Sequence, residues 1–241
     1  SMLADAQAIN TMYKGTGLSS ADYTSFSGAM EVGRGYTAAN VSEAQFTGTV
    51  NNGTITYDIK EGTGDFNLIG NPYPSAISAE SFVEDNELIL KDGTIWIWDQ
   101  QEVNKGTETH NSVTNFIAVN ATGSSSSSHR ALELKSTDIA SCQGFVVSAL
   151  ADGEVEFNNE QRNGSNQNFK SGSTNGTTLQ NKELAWFSLY YDDYEASTLV
   201  GFGDQASNDF DFYYDTHANL VTKGMQIATM IKNKTFLINA F

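Results

Sequence analysis

Short segments in which apolar and polar residues alternate, each bounded by Gly, Asn, Ser or Asp, recur along this chain at roughly ten-residue spacing, a rhythm that points to an all-β fold. Successive side chains on a strand point to opposite faces, so a period of two gives each segment one face for a core and one for water. Strands are expected at Ala44–Val50, Thr54–Ile59, Asp65–Gly70, Thr94–Asp99, Asn115–Asn120, Gly144–Ala149, Glu154–Phe157, Glu183–Tyr191, Thr198–Gly203, Gln226–Ile231 and Thr235–Ala240. Only Ala76–Asn86 suggests a helix. With 39% hydrophobic residues, including 14 Phe, 10 Tyr and 3 Trp, the chain has the apolar content to close a core. The expected fold class is therefore all-β: an antiparallel, jelly-roll-like β-sandwich with one short helix and long polar loops.

Local chemistry fixes some connections. Asn51-Asn52-Gly53 separates two expected strands, and Asn-Gly supplies the positive φ angles of a tight hairpin turn. Both prolines lie in Asn71-Pro72-Tyr73-Pro74, a rigid corner that forbids ladder hydrogen bonds there. Gly123–His129, with its serine run, and Asn158–Thr178 read as exposed loops. The second is long enough to join two β units, although one sandwich with a long loop is the simpler reading.

Charge narrows the partners. Thirteen Lys+Arg against 29 Asp+Glu give a net charge of −16, and the basic residues are spread rather than clustered. Nucleic acid and anionic membrane surfaces, which need clustered cations, are disfavoured, as are acidic polysaccharides. No apolar run approaches the roughly 20 residues that span a bilayer, so membrane insertion is not expected. The single cysteine, Cys142, has no partner for a disulfide and no nearby base, and reads as a small buried hydrophobe.

Most motifs that carry chemistry fail on context. Gly33-Arg34-Gly35-Tyr36-Thr37-Ala38 and Gly201-Phe202-Gly203-Asp204-Gln205-Ala206 match a loose dinucleotide fingerprint, but neither opens a helix inside a βαβ unit. His110, His129 and His217 are isolated in sequence and read as solvated. Asp192-Asp193 and Glu154/Glu156 read as turn and strand-face charges rather than an acid–base pair, so no catalytic residue is assigned. Two candidates remain. Asp204, Asn208, Asp209, Asp211 and Asp215 bring hard oxygens close together in a pattern that suits calcium, against the alternative of an acidic loop closed by Asx-turns. Trp96 and Trp98, at i, i+2, project from one face of a strand. If that face is open it is a platform for sugar rings, with Asp99 and Gln100 beside it to bond hydroxyls. If it is closed the pair are core, as the apolar Ile95 and Ile97 beside them suggest. Tyr190, Tyr191 and Tyr194, with Tyr213 and Tyr214, offer a second aromatic surface, whereas Trp186 is expected in the core.

Phe66-Asn67-Leu68-Ile69-Gly70-Asn71-Pro72-Tyr73-Pro74-Ser75-Ala76-Ile77 is more specific than any of these. With Gly33-Arg34-Gly35-Tyr36, Phe46-Thr47-Gly48-Thr49, Ile95-Trp96-Ile97-Trp98-Asp99, Gln143-Gly144-Phe145-Val146-Val147, Val155-Glu156-Phe157 with Arg162, Leu199-Val200-Gly201-Phe202, Asp209-Phe210-Asp211 with Tyr214-Asp215, and Phe236-Leu237-Ile238-Asn239, it resembles a module common near the C-termini of large secreted proteins of Bacteroidetes, usually just ahead of a type IX secretion sorting domain. The resemblance runs from about Gly28 to the end. It divides the chain into an N-terminal tag and lead-in, 1–27, and one β-sandwich module, 28–241, with a subdivision point near 158–178. It implies secretion, a place outside the cell or on its surface, and neighbouring domains in a larger protein. It implies no activity. Arg162 is expected to bridge to an aspartate of the acidic cluster.

The function expected is a non-catalytic extracellular accessory module that binds a neutral glycan through exposed aromatics. The alternative is a structural or adhesive cell-surface spacer, stabilised by calcium, and a polysaccharide hydrolase or lyase is the least favoured reading.

Overall fold

The computed structural model describes residues 3–4, 11–14, 24–39, 46–62, 65–98, 116–125, 138–164, 183–191, 194–218 and 227–241. In chain order the elements are β1 (Leu3–Ala4), β2 (Thr11–Lys14), β3 (Thr24–Phe26), β4 (Thr37–Ala39), β5 (Phe46–Thr47), β6 (Ile55–Ile59), β7 (Phe66–Gly70), β8 (Ala76–Ile77), α1 (Ala79–Asp85), β9 (Leu90–Trp98), β10 (Phe116–Val119), β11 (Ser124–Ser125), β12 (Gly144–Ala149), β13 (Gly153–Phe157), β14 (Arg162–Asn163), β15 (Glu183–Tyr191), β16 (Tyr194–Phe202), β17 (Thr216–His217), β18 (Thr229–Ile231) and β19 (Lys234–Ala240). The chain is all-β with one short helix and several antiparallel sheets, an arrangement compatible with a sandwich-like fold. Antiparallel pairing prevails, and β16 with β19 is parallel. Two compact units are formed, Ser1–Leu90 with Asp138–Ser171, and Lys91–Thr137 with Gly172–Phe241. One border falls inside 158–178; the other two coincide with no shift in composition.

In the first unit β7 pairs with β12, β6 with β13 and β8 with β14, while β2 lies between β3 and β4. The core closes where Phe82 of α1 meets Phe145 and Phe157, ring centroids 5.3 and 5.1 Å away, all three fully buried. The helix is shorter than Ala76–Asn86. Ala76 and Ile77 are drawn into a ladder with β14, Ile77 also bridges to Ile139, and Ser78 becomes the N-cap, its hydroxyl accepting the Ser81 N–H at 3.2 Å.

The Asn-Pro-Tyr-Pro corner is built around the Asn71 amide, which donates to the carbonyls of Ser75 and Ala140 at 2.9 and 3.0 Å and accepts the Tyr73 N–H at 3.0 Å. The buried Tyr73 ring reaches the Gly53 carbonyl through its hydroxyl at 2.6 Å. That contact explains a correction. The Ala44–Val50/Thr54–Ile59 hairpin is absent: β5 pairs with β1 and β6 with β13. A tight Asn-Gly turn needs positive φ at both central residues, and only Gly53 (φ 80°) has it. Asn51, Gly53 and Asn52 are instead tied to Pro72, Asn159 and Arg162. A two-residue turn with both φ positive occurs at Lys232-Asn233, between β18 and β19.

Arg162 does not reach the acidic cluster. It bonds Ser75 Oγ and Asn52 Oδ1, both at 2.9 Å, and its guanidinium lies 5.1 Å from the Tyr73 ring centre. Cys142 is exposed rather than buried, because it occupies a left-handed turn position (φ 58°) that turns its side chain out of the β12 approach.

In the second unit β10 lies between β9 and β11, and β16 and β19 form the centre of a sheet in the order β15-β16-β19-β17, with β18 also on β19. Two expectations of exposure are corrected here. Ser124 and Ser125 form the buried strand β11, tolerated because small hydroxyls find partners: Ser125 Oγ donates to the Ser197 carbonyl at 3.0 Å. The rest of Gly123–His129 lies outside the described residues. His217 is not solvated; its ring packs on Phe210 and Phe236, with Nδ1 3.5 Å from an Asp92 carboxylate oxygen. His110 and His129 lie outside the described residues.

Candidate functional site

Trp96 is not part of an open platform on β9. Trp96 is 3% exposed, pairs with Ala118 of β10 and lies between the buried Ile95 and Ile97, so both faces of the strand are covered and no ring face is offered to a ligand. Trp98 closes β9, and its side chain, with Asp99 and Gln100, lies outside the described residues.

The acidic segment is organised by its own backbone. Asp211 accepts the Ser207 N–H at 2.6 Å, and Asp215 accepts the N–H groups of Asp211 and Ala240 at 2.8 and 2.9 Å, one on each oxygen. Asp209 pairs with Lys232. Asp204 and Asn208 are exposed. The carboxylates of Asp211 and Asp215 thus each accept the N–H of the residue four positions earlier, and Asp215 also holds Ala240 of β19. Among the described residues no group of three or more His, Cys, Asp or Glu is placed to hold a metal ion.

Asp215 is fully buried, and burial pushes its carboxyl above the usual carboxylate range, against the pull of its two backbone donors. A carboxyl raised in the fold binds its proton more tightly folded than unfolded. Its stabilising contribution is complete below the unfolded value of about 3.9 and is lost as pH climbs through the folded value. Thermal melts of wild type and Asp215→Asn across the acidic range isolate this group: the wild type's advantage should shrink as pH rises above that value, and an advantage that grows with pH would contradict the assignment.

The exposed aromatic surface lies on β15. This strand is nine residues long, stands at the end of its sheet among the described strands, and carries one charge, Glu183. Its even positions set Trp186, Ser188 and Tyr190 on one face. Trp186 is 38% exposed and Tyr190 60% exposed, and a strand rise of about 3.3 Å per residue places the two positions about 13 Å apart. The indole is fixed: its Nε1–H donates to the Ser124 carbonyl at 3.1 Å, and Trp186 lies opposite the buried Leu199 in the β15–β16 register. Phe187 and Leu189 are exposed on the other face, where Phe202, opposite Glu183, stacks against Phe241 at 6.1 Å.

Sequence alternation placed Trp186 in the core because it treats every strand as a central one. Its place at the end of the sheet among the described strands goes with this exposure, and the absence of lysine or proline from Glu183–Tyr191 gave no sign of it. Tyr190 does belong to an aromatic surface. Tyr214 turns away to donate to Gln205 at 2.9 Å, Tyr213 packs edge-on against Phe212, and the side chains of Tyr191 and Tyr194 lie outside the described residues.

The chain matches the family described as "Domain of unknown function (DUF8693)" over residues 6–240. No curated protein and no solved structure matches it.

Proposed function

The chain belongs to the DUF8693 family, and we propose that it is a non-catalytic extracellular accessory module that holds a neutral glycan on the Trp186–Tyr190 face of β15. The observation that carries the reading is a tryptophan fixed through its indole N–H with part of its surface left to solvent, in line with an exposed tyrosine and with a serine hydroxyl between them. Rings of this kind stack on the apolar faces of sugars at little entropic cost, since two torsions are fixed for a large contact. The net charge of −16 favours an uncharged ligand over an acidic one. The secreted setting rests on the resemblance described above.

A second reading, an adhesive spacer that docks a neighbouring domain, draws on a different observation: Phe187, Leu189 and Phe202 are exposed on the opposite face. One assay separates the two. In pull-down and titration with neutral polysaccharides, Trp186→Ala and Tyr190→Ala should each weaken retention about tenfold, equivalent to about 1.4 kcal/mol, while the pair Phe187→Ser/Leu189→Ser leaves it unchanged. Retention that ignores the first two substitutions and falls with the pair would favour docking, and no retention by the wild type ends the glycan reading.

A further inference from the structure

The first unit holds an open cleft of about 450 Å³, remote in sequence from β15 and within the roughly 300–1,000 Å³ typical of small-ligand sites. Leu68 and Tyr57 contribute its apolar surface, and Arg34, Asp58 and Glu154 are among its polar walls.

The arginine is placed by backbone packing. Arg34 bridges Ile69 of β7, with the Gly35 N–H donating to the Leu68 carbonyl at 3.1 Å and the Gly70 N–H donating to the Gly33 carbonyl at 2.9 Å. A Cβ at Gly33 would stand 2.8 Å from that of Tyr57, so the glycine lets the segment lie against the tyrosine. The guanidinium, with a side chain only 17% exposed, donates from Nη1 to Glu31 at 2.8 Å, while its Nε is buried without a hydrogen-bond partner. The opposite end is equally fixed: Asn67 accepts the Lys60 N–H and donates to the Lys60 carbonyl, both at 2.9 Å.

The lining charges interleave. Arg34 is paired with Glu31 and Lys60 with Asp152 at 3.3 Å, and the exposed carboxylates of Asp58 and Glu154 line the same cleft, Glu154 accepting the Thr56 hydroxyl on Oε1 at 3.1 Å and keeping its second oxygen for a ligand. An anion would meet those carboxylates and a cation would meet the guanidinium. Hydroxyl groups, each both donor and acceptor, satisfy both at once. The Tyr57 hydroxyl adds to this set, since burial pushes its pKa up and keeps it an O–H donor.

We propose that this cleft is a saccharide pocket for one or two units of a neutral glycan, with Arg34, Tyr57, Asp58 and Glu154 as its recognition groups. It shares its ligand class with the β15 reading and rests on that reading for this alone. The test is amide chemical-shift mapping of the full chain titrated with maltose, cellobiose and mannobiose, with glucuronic acid and glucosamine as charged controls. Shifts at Arg34, Thr56–Lys60 and Glu154 on adding a neutral disaccharide, weakened at least tenfold by Tyr57→Phe and by Asp58→Asn/Glu154→Gln and untouched by Trp186→Ala, are expected. The acid substitutions are on exposed side chains and Tyr57→Phe removes one oxygen, so the fold is retained. Shifts confined to β15 amides would overturn the pocket and leave the β15 reading standing, and shifts confined to the cleft would do the reverse. A response to glucosamine or glucuronic acid alone would overturn the neutral class, and silence from every probe would overturn both.

Discussion

Asn71→Asp is expected to destabilise the first unit by about 3–5 kcal/mol, more than any other single change of similar size discussed for this protein. The substitution alters one group and no shape. The native amide donates to the Ser75 and Ala140 carbonyls, with Ile139 O at 3.3 Å, and its oxygen accepts the Tyr73 N–H. A carboxylate keeps the last of these bonds and turns the donors into a negative oxygen aimed at carbonyls inside a buried corner. Protonation relieves part of the conflict. The variant's folded-state pKa must therefore lie above the unfolded value of about 3.9, and its deficit should widen as pH rises through the interval between the two. Asn71→Ala, which only removes the bonds, should cost less and show no such widening. Chemical denaturation of the three proteins at acidic and neutral pH checks the prediction, and equal deficits for both variants at every pH would show that the amide donors do not hold the corner.

Gly35→Ala is expected to cost about 3 kcal/mol, at the upper end of overpacking penalties. A Cβ there would lie 2.5 Å from Leu68 Cγ and 2.7 Å from the Ile69 carbonyl oxygen. A flexible side chain can yield to such a clash, but a strand backbone cannot. Relief requires lifting the Gly33-Arg34-Gly35 segment off β7, which breaks the Gly35 N–H bond to Leu68 and the Gly70 N–H bond to Gly33. The same alanine at Gly53 meets no atom within 4 Å and is opposed only by φ 80°, which costs about 1 kcal/mol. Denaturant midpoints of the two variants should therefore fall in that order. Loss of saccharide-induced shifts at Arg34 in Gly35→Ala, with those at β15 preserved, would follow from the same displacement.

These two residues show what alternation and turn chemistry make legible and what they leave out. Strands such as Gly144–Ala149 and Glu183–Tyr191 are found where the sequence reading places them, because runs of β-branched and aromatic residues bounded by turn residues mark a strand locally. The rigid corner is likewise readable from two prolines. What pairs with what is not. The Asn52-Gly53 turn is outcompeted by Tyr73, Arg162 and Asn159, which lie 20 to 110 positions away in sequence, and no local signal reports them. The candidate sites divide in the same way. Burial of Trp96 follows from its apolar neighbours, whereas exposure of Trp186 goes with its strand standing at the end of the sheet among the described strands, a property of the sheet rather than of the strand. The Gly33-Arg34-Gly35 motif was visible but failed as a nucleotide fingerprint. Gly35 serves close approach to β7 and Gly33 close approach to Tyr57 of β6, and only the fold says so.

Each unit is stitched from two stretches, and the chain passes between them at three points, after Leu90, after Thr137 and after Ser171. During synthesis, neither unit can close while its first stretch alone has emerged: Phe82 waits for Phe145 and Phe157, and Ile95 and Trp96 of β9 precede by about a hundred residues the sheet that completes their unit. An N-terminal fragment of any length up to Phe157 therefore presents an open core to solvent. Closure of either unit therefore falls late in synthesis, once most of the chain has been made.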